Sequence, residues 1–294
     1  MYQSSEHGID IIGDLHGHSR LFLQMLELLG YQADGVSYAH PLGRKILLVG
    51  DMINRGPDSN GVLKIARNMH ENGTALIILG NHEFRLIQRG VAQKPLDDET
   101  YQPYLSWIRS LPLFVETPTL RSVHAAWHYS SIQILEGAKA SDDAFVKKTF
   151  EKETPEAKAV NNILSGIKIS LPLEPKLKDR FDIVRKRGRV RWWKNLQGKS
   201  FAECLYSPMY PEVRKQIPDP DEIAQVEPYD EEEKPVFIGH YSLPPYIEKV
   251  MEMIVCVDGC VTKDKKLWAY RHSGELRPNC RNLVSCEKVS ARKN

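Results

Sequence analysis

The chain has 294 residues, 41% of them hydrophobic and 27% charged, which is enough apolar material for a full core in one large domain or two small ones. Forty Lys and Arg nearly balance 38 Asp and Glu, so the net charge of +2 gives no bulk attraction to nucleic acid or membrane, and any preference has to come from local patches. No stretch approaches the roughly 18 apolar residues of a membrane span, and the opening MYQSSEHG lacks the basic and apolar regions of a secretion signal, so the cytoplasm is the expected location.

In chain order, short β-branched runs end in glycine plus a polar residue: DIIGD (10–14), ILLVGD (46–51), LIILGNH (76–82) and, much later, VFIGH (236–240). SVH (122–124) is a shorter case without the glycine. Such runs suit strands buried on both faces. Helix-like segments separate the first three. SRLFLQMLELLG has Ser19 as expected N-cap, apolar Leu21, Met25, Leu28 and Leu29, and Gly30 as stop. DSNGVLKIARNMHENG has Asp58 or Ser59 as cap and Gly73 as stop. Alternating strand and helix predicts a layered α/β domain with partly parallel strands, and ligand sites in such sheets form beyond the strands' carboxyl ends. Each of these polar residues sits there.

Residues 139–170 read as one or two polar helices. Lys176–Lys194 then holds nine Lys and Arg against two Asp, while 218–233 holds eight acidic residues and no basic one. Both charge runs read as solvated loop or hairpin surface. Alternatively, the cations beside Trp192 and Trp193 form a platform for a nucleotide or polyanion, with Arg189 or Arg191 as a second phosphate contact; alternation around Val190 equally describes the outer face of a strand. The acidic run would shield the basic one as a lid or bind a partner. With no repeat and no clear linker, one domain spanning 1–294 is expected, with an insertion or cap within 130–235. The five cysteines lack C-x-x-C spacing and are expected to be reduced thiols.

Alternate residues of an extended chain share a side, so Asp14 and His16 can reach one ion. Asp51, Asn81, His124 and His240 end or follow other strands. Carboxylate, amide oxygen and imidazole together suit manganese, iron or zinc better than calcium. Six ligands exceed the need of one tetrahedral ion, but two ions sharing Asp51 would use them all, and paired metals are a device for hydrolysing phosphate esters.

The order GDLHGHS (13–19), GDMINRGPDS (50–59), GNHE (80–83), VHAAW (123–127) and GHY (239–241) closely resembles the calcineurin-like metallophosphoesterases. More narrowly it resembles their phosphoprotein phosphatase branch, which includes protein serine/threonine phosphatases and symmetrical dinucleoside tetraphosphatases. VCVDGCVTKDKKLWAYR (255–271) resembles the closing strands of that fold. The resemblance implies an α+β four-layer fold, a central β-sandwich flanked by helices, with the metal site at strand carboxyl ends. It also implies Asp14 and His16 on a first metal, Asp51 bridging, and Asn81, His124 and His240 on a second. Two divalent ions follow, manganese first, with iron, zinc, nickel, cobalt or magnesium as substitutes. A water or hydroxide between them would attack phosphorus in line. His82 matches the acid that protonates the leaving oxygen and Arg55 the arginine that grips phosphate; Tyr241, which follows the last ligand, is expected to contact substrate. Where the protein phosphatases have an aspartate beside the acid histidine, this chain has Asn54. Asparagine is expected to accept a hydrogen bond from the ring N–H without stabilising an imidazolium, which favours good leaving groups.

Three readings follow: a hydrolase of nucleotides or other small phosphorylated molecules, dinucleoside polyphosphates included; a serine/threonine protein phosphatase acting on a phosphoprotein; and a catalytically silent metal-binding interaction module. No membrane and no stable nucleic-acid complex is expected.

Overall fold

The computed structural model describes residues 7–96, 98–179, 182–207, 210–244 and 246–287; Met1–Glu6 of the opening and Arg180 and Phe181 of the basic run lie outside the described residues. The chain begins β1 (Ile9–Ile12), α1 (Ser19–Leu29), the hairpin β2 (Gln32–Asp34) and β3 (Ser37–Ala39), β4 (Lys45–Leu48), α2 (Ser59–Glu71), β5 (Ala75–Ile77) and α3 (Asn81–Val91). The expected strands and helices are therefore present, with one difference of detail. His18, not Ser19, is the N-cap of α1; Ser19 is the first helical residue, and its hydroxyl donates to Asp58, which also accepts from the Gly61 N–H as the cap of α2. One carboxylate thus joins the starts of both helices.

Next come α4 (Leu105–Ser110), β6 (Phe114–Glu116), β7 (Arg121–Val123), α5 (Tyr129–Ile134), α6 (Asp143–Lys148), α7 (Pro155–Ser165), β8 (Lys168–Ser170) and β9 (Arg187–Val190). The chain continues through α8 (Phe201–Cys204), β10 (Leu205–Ser207), α9 (Pro220–Ile223), β11 (Val236–Ile238), β12 (Val250–Met251), β13 (Ile254–Cys256), α10 (Val261–Asp264), β14 (Lys266–His272) and β15 (Leu283–Glu287). Two five-stranded sheets, ordered β15-β14-β1-β4-β5 and β12-β13-β11-β7-β6, form the centre. β1, β4 and β5 run parallel, as do β7, β11 and β13.

Side-chain alternation makes this a sandwich rather than a single sheet wrapped by helices. Ile9, Ile11, Leu47 and Tyr270 of the first sheet share one apolar cluster with Val115, Phe237 and Val255 of the second. Their strand neighbours Ile12, Ile46 and Leu48 belong to the other cluster, with Phe22 and Met25 of α1 and Val62 and Met69 of α2. Both faces of each central strand are therefore buried, and each large side chain so placed is worth about 1.5–3 kcal/mol. Asp10 fixes the register of β1. It is fully buried on the strand, where Arg44 donates to it from Nη2 at 2.7 Å and Nε at 3.0 Å and the Tyr31 hydroxyl donates at 3.1 Å. A one-residue slip would bury that carboxylate unpaired in the sandwich interior.

The middle of the chain departs from the solvated-loop expectation. The second half of the basic run is β9, the central strand of a three-stranded sheet β10-β9-β8. Trp192 and Trp193 are 1% and 4% exposed and pack edge-on against Tyr229 and Tyr206, so they are core and cannot be a stacking platform. Apolar area at a strand end outweighs any value of an exposed indole. The acidic run is tied to the fold as well. Glu222 accepts from the Ser170 N–H, Glu227 from the Ser130 N–H, and Glu233 lies 2.9 Å from Arg121. Its one ion pair with the basic run among the described residues is Glu222 with Arg187, at 3.8 Å, so it does not lie over that patch as a shield.

Candidate metal centre

The loops after β1, β4, β5, β7 and β11 converge at one edge of the sandwich, and six of their non-glycine residues take left-handed backbone angles: His16 (φ 38°), Asp51 (φ 50°), Asn54 (φ 68°), Arg55 (φ 67°), His240 (φ 67°) and Ser242 (φ 50°). This conformation is costly for non-glycine residues and turns the chain sharply at a strand end, so that the side chain points back over the edge. Gly17 (φ 67°) makes the same kind of turn, but Gly13 does not. A Cβ there would lie 2.1 Å from the Val257 carbonyl oxygen, so Gly13 is required for close approach of two backbones.

Two groups of ligand atoms form, His16/Asp51/His82 and Asp51/His124/His240, and Asp51 is in both. Asp14 stands beside the first, 3.9 Å from His16 Nε2, and its carboxylate accepts the His240 N–H at 3.1 Å. Two backbone carbonyls fix the ring tautomers. His16 Nδ1 donates to Ile53 O at 3.1 Å and His124 Nδ1 donates to Val49 O at 2.7 Å, which leaves both Nε2 atoms as lone-pair donors to a cation. His124 Nε2 then faces Asn81 Oδ1 at 3.2 Å and Asp51 Oδ1 at 3.4 Å. Three acceptors without a proton between them form a cradle for a cation.

The charges agree. Asp14, Asp51 and Asp258 are all buried within one site. Burial, then Asp258 and Asp51, hold the Asp14 carboxyl well above the usual carboxylate range. For Asp51, burial acts upward but is outweighed by His124, His16 and His82, which hold it well below. A bound cation would relieve this crowding of buried carboxylates. The nitrogen, carboxylate and amide donors suit a pair of divalent ions, and thiolates are absent from the groups.

His82 lies at the rim, edge-on to His16 with ring centroids 4.9 Å apart. Its Nδ1 is 2.9 Å from Asn54 Nδ2, while Asn54 Oδ1 accepts from the Tyr101 hydroxyl at 3.0 Å. This reverses the sequence expectation. With its nitrogen toward the ring, the amide donates to Nδ1, and the His82 proton resides on Nε2. Burial, opposed by Asp51 and reinforced by His16 and Arg55, lowers the His82 pKa to about 4, so the ring is neutral at neutral pH.

Arg55 is exposed beside the site, with Nη1 3.3 Å from His16 Nε2. Arg189 reaches in from β9: its Nη2 donates to His240 Nε2 at 2.9 Å and its Nε to Ser165 O at 3.1 Å. Tyr241 is buried with its ring 5.7 Å from the Arg189 guanidinium carbon. Arg191 is not brought here; its N–H donates to Cys204 O, and its Nε is buried without a partner among the described residues.

Three residues at the site had no role in the sequence reading. Glu83, fully buried, accepts N–H groups from Asp51, Met52, Ile53 and Gly80 at 2.8–3.2 Å and so holds the Asp51 loop against α3. Burial and Asp51 push its carboxyl up to about 7. Its signal was available, an acid three residues after the glycine that caps a helix. Glu83→Ala is expected to cost at least about 3 kcal/mol of unfolding free energy, read from urea melts, because four buried donors lose one acceptor. A cost below about 1 kcal/mol would show that water replaces the carboxylate. Asp258 accepts from the Cys260 and Ser242 N–H groups and ends the VCVD run in the same way as the GD runs. Tyr101 had no local signal, being 47 residues from its partner Asn54.

Comparison with known proteins agrees with this geometry. The calcineurin-like phosphoesterase model matches residues 8–220. The chain is 38% identical over 85 residues to the asymmetrical bis(5'-nucleosyl)-tetraphosphatase PrpE of Halalkalibacterium halodurans, covering 29% of this chain and 35% of that one. It is 34% identical over 139 residues to the symmetrical bis(5'-nucleosyl)-tetraphosphatase of Nitrosomonas europaea, covering 42% and 48%. The chain thus spans half or less of the length of these curated relatives. The cold-active protein-tyrosine phosphatase of a psychrophilic Shewanella species shares the fold at 15% identity, with a TM-score of 0.50 over 92% of this chain and 80% of that one. With the family model covering most of the sequence and the expected ligands meeting at one edge of a β-sandwich, the chain belongs to the calcineurin-like phosphoesterase family.

Proposed function

We propose that this chain is a dinuclear metal-dependent phosphohydrolase that cleaves a nucleotide or other small phosphorylated molecule, with dinucleoside polyphosphates as the favoured substrate class. The observation that carries the substrate class is the Asn54 amide donating to His82 Nδ1. A neutral Nε2–H hydrogen-bonds a leaving oxygen without giving up its proton, which suffices for a nucleotide phosphate that departs as a stable anion and not for a serine alkoxide that has to be protonated. The names of the bis(5'-nucleosyl)-tetraphosphatase relatives support the same class.

Asp14 and His16 would hold one ion, Asn81, His124 and His240 the other, and Asp51 both, manganese being the first choice. Bound divalent ions supply charge neutralisation on phosphoryl oxygens and acidify water. The remaining work falls to the chain. Arg55 and Arg189 grip phosphoryl oxygens from two sides, Tyr241 supports the Arg189 guanidinium from beneath, and His82 donates a hydrogen bond from Nε2–H to the leaving oxygen while Asn54, itself bonded to Tyr101, holds the ring. Arg191 has no part in this assignment. We place the protein in the cytoplasm, a reducing compartment that suits five free cysteines; no helix among the described residues is long and apolar enough to cross a membrane. Residues 130–235, which carry Arg189, belong with the metal centre in a single elaborated domain.

The test is the purified chain with manganese, offered p-nitrophenyl phosphate, a dinucleoside tetraphosphate and a phosphoserine peptide. The highest kcat/KM is expected on the tetraphosphate. A phosphoserine preference would favour the second reading, a protein phosphatase, which the GDMINRGP match supports. Silence on all three with two metals bound would favour an interaction module. Asn54→Asp is expected to raise turnover of the phosphoserine peptide relative to p-nitrophenyl phosphate, because a carboxylate stabilises the imidazolium. It should also move the pH profile of the His82-dependent step up by about 1–3 units. Identical profiles and ratios would remove Asn54 from the mechanism.

A further inference from the structure

An open cleft of about 600 Å³ lies between α3 and α7, and Asn81, whose Oδ1 is 3.2 Å from His124 Nε2, lines it, so the cleft adjoins the metal centre. Its walls carry Arg85, Lys152, Lys158 and Arg187 against one carboxylate, Glu153, which is already engaged 2.9 Å from Lys158 Nζ. Arg85 and Lys152 have no hydrogen-bond or ion-pair partner among the described residues. Arg85 follows Asn81 by four residues on α3, so it projects from the same helix face about 6 Å further along the axis.

A second, independent feature points to the same ligand chemistry. The β8/β9 register sets Lys168 directly opposite Arg189, and the Arg187 guanidinium donates to the Lys168 carbonyl at 2.6 Å. Like charges opposed across a strand pair destabilise it. Among the described residues, the one carboxylate in ion-pair range of these three cations is Glu222, 3.8 Å from Arg187. Arg189 faces the metal centre and Arg187 the cleft, so the excess positive charge runs unbroken from one to the other.

We propose that this cleft seats the distal phosphates of a nucleoside polyphosphate whose scissile phosphoryl group lies at the metal centre, with Arg85 and Lys152 as direct contacts. The assignment rests on the phosphohydrolase reading above and adds to it a length requirement. A substrate with further phosphates beyond the scissile one gains contacts that a simple monoester does not reach.

The test is the Arg85→Glu/Lys152→Glu double variant of the full chain. KM for a dinucleoside tetraphosphate is expected to rise roughly tenfold and to lose most of its salt dependence, while kcat/KM on p-nitrophenyl phosphate stays within about twofold. A separate arm does not depend on the natural substrate. Adenosine 5'-(β,γ-methylene)triphosphate, with free metal buffered, is titrated as a competitor of p-nitrophenyl phosphate hydrolysis and by calorimetry, with orthophosphate as control. Weakened analogue binding and unchanged orthophosphate binding uphold the cleft assignment even where the tetraphosphate is not hydrolysed, in which case the substrate reading alone fails. Equal losses on monoester and tetraphosphate, or no loss on either, would overturn the assignment. So would a loss confined to phosphoserine peptides with acidic flanks, which would make the cleft a phosphoprotein seat. Arg85→Ala, with its thermal melt, guards against a folding defect in the double variant.

Discussion

Asp51→Asn is expected to lower kcat/KM by about a thousandfold or more on every substrate and to reduce bound metal from two ions per chain to one or fewer. Asp51 is the residue present in both ligand groups, with His124 Nε2 at 3.4 Å from one carboxylate oxygen and His16 Nε2 at 3.6 Å from the other. An amide keeps one oxygen acceptor, enough for the His82 N–H that Asp51 Oδ1 accepts at 3.0 Å, but it loses the charge and the second oxygen. Losing a bridging anion removes several kcal/mol of transition-state stabilisation, and at about 1.4 kcal/mol per decade roughly 4 kcal/mol is a thousandfold. Steady-state kinetics and elemental analysis of the same sample check it. Retained turnover with two ions bound would refute the shared-carboxylate arrangement.

His82→Ala should produce a loss that depends on the leaving group. A hydrogen-bond donor on the leaving oxygen contributes most where that oxygen is most basic, and little where it leaves as a stable anion. The phosphoserine peptide is therefore expected to lose most, the dinucleoside tetraphosphate less, and p-nitrophenyl phosphate least. Metal content should stay at two, because Nδ1 is engaged by Asn54 and the ring stands at the rim. A uniform loss on all three, or loss of a metal, would recast His82 as a ligand, a role that its place in the first ligand group keeps open to test.

Both expectations start from residues that stand out in the linear chain, and they stand out for a physical reason. A strand buried on both faces has to be a continuous apolar run, and the turn ending it has to hold glycine or a polar residue, so Asp14, Asp51, Asn81, His124 and His240 announce themselves by position. Helix spacing and caps located α1 and α2 to within a residue or two, Ser19 being displaced from the cap by His18. These are local properties, set by backbone sterics and side-chain alternation within a few residues.

Contacts between distant segments had no such signal. Asn54 bonds Tyr101, 47 residues later in the chain, and the arginine that reaches His240 comes from a strand 51 residues earlier. Composition alone could not separate Arg189, which points into the site, from Arg191, which bonds elsewhere, nor assign Trp192 and Trp193 to core over surface. The sequence by itself determined the family, the candidate metal-binding residues and the strand ends that carry them, because each is written in residues that are neighbours along the chain. The tertiary structure alone decided the direction of the His82 hydrogen bond, the Glu83 brace and the cationic cleft between α3 and α7, because each arises where separate elements pack together.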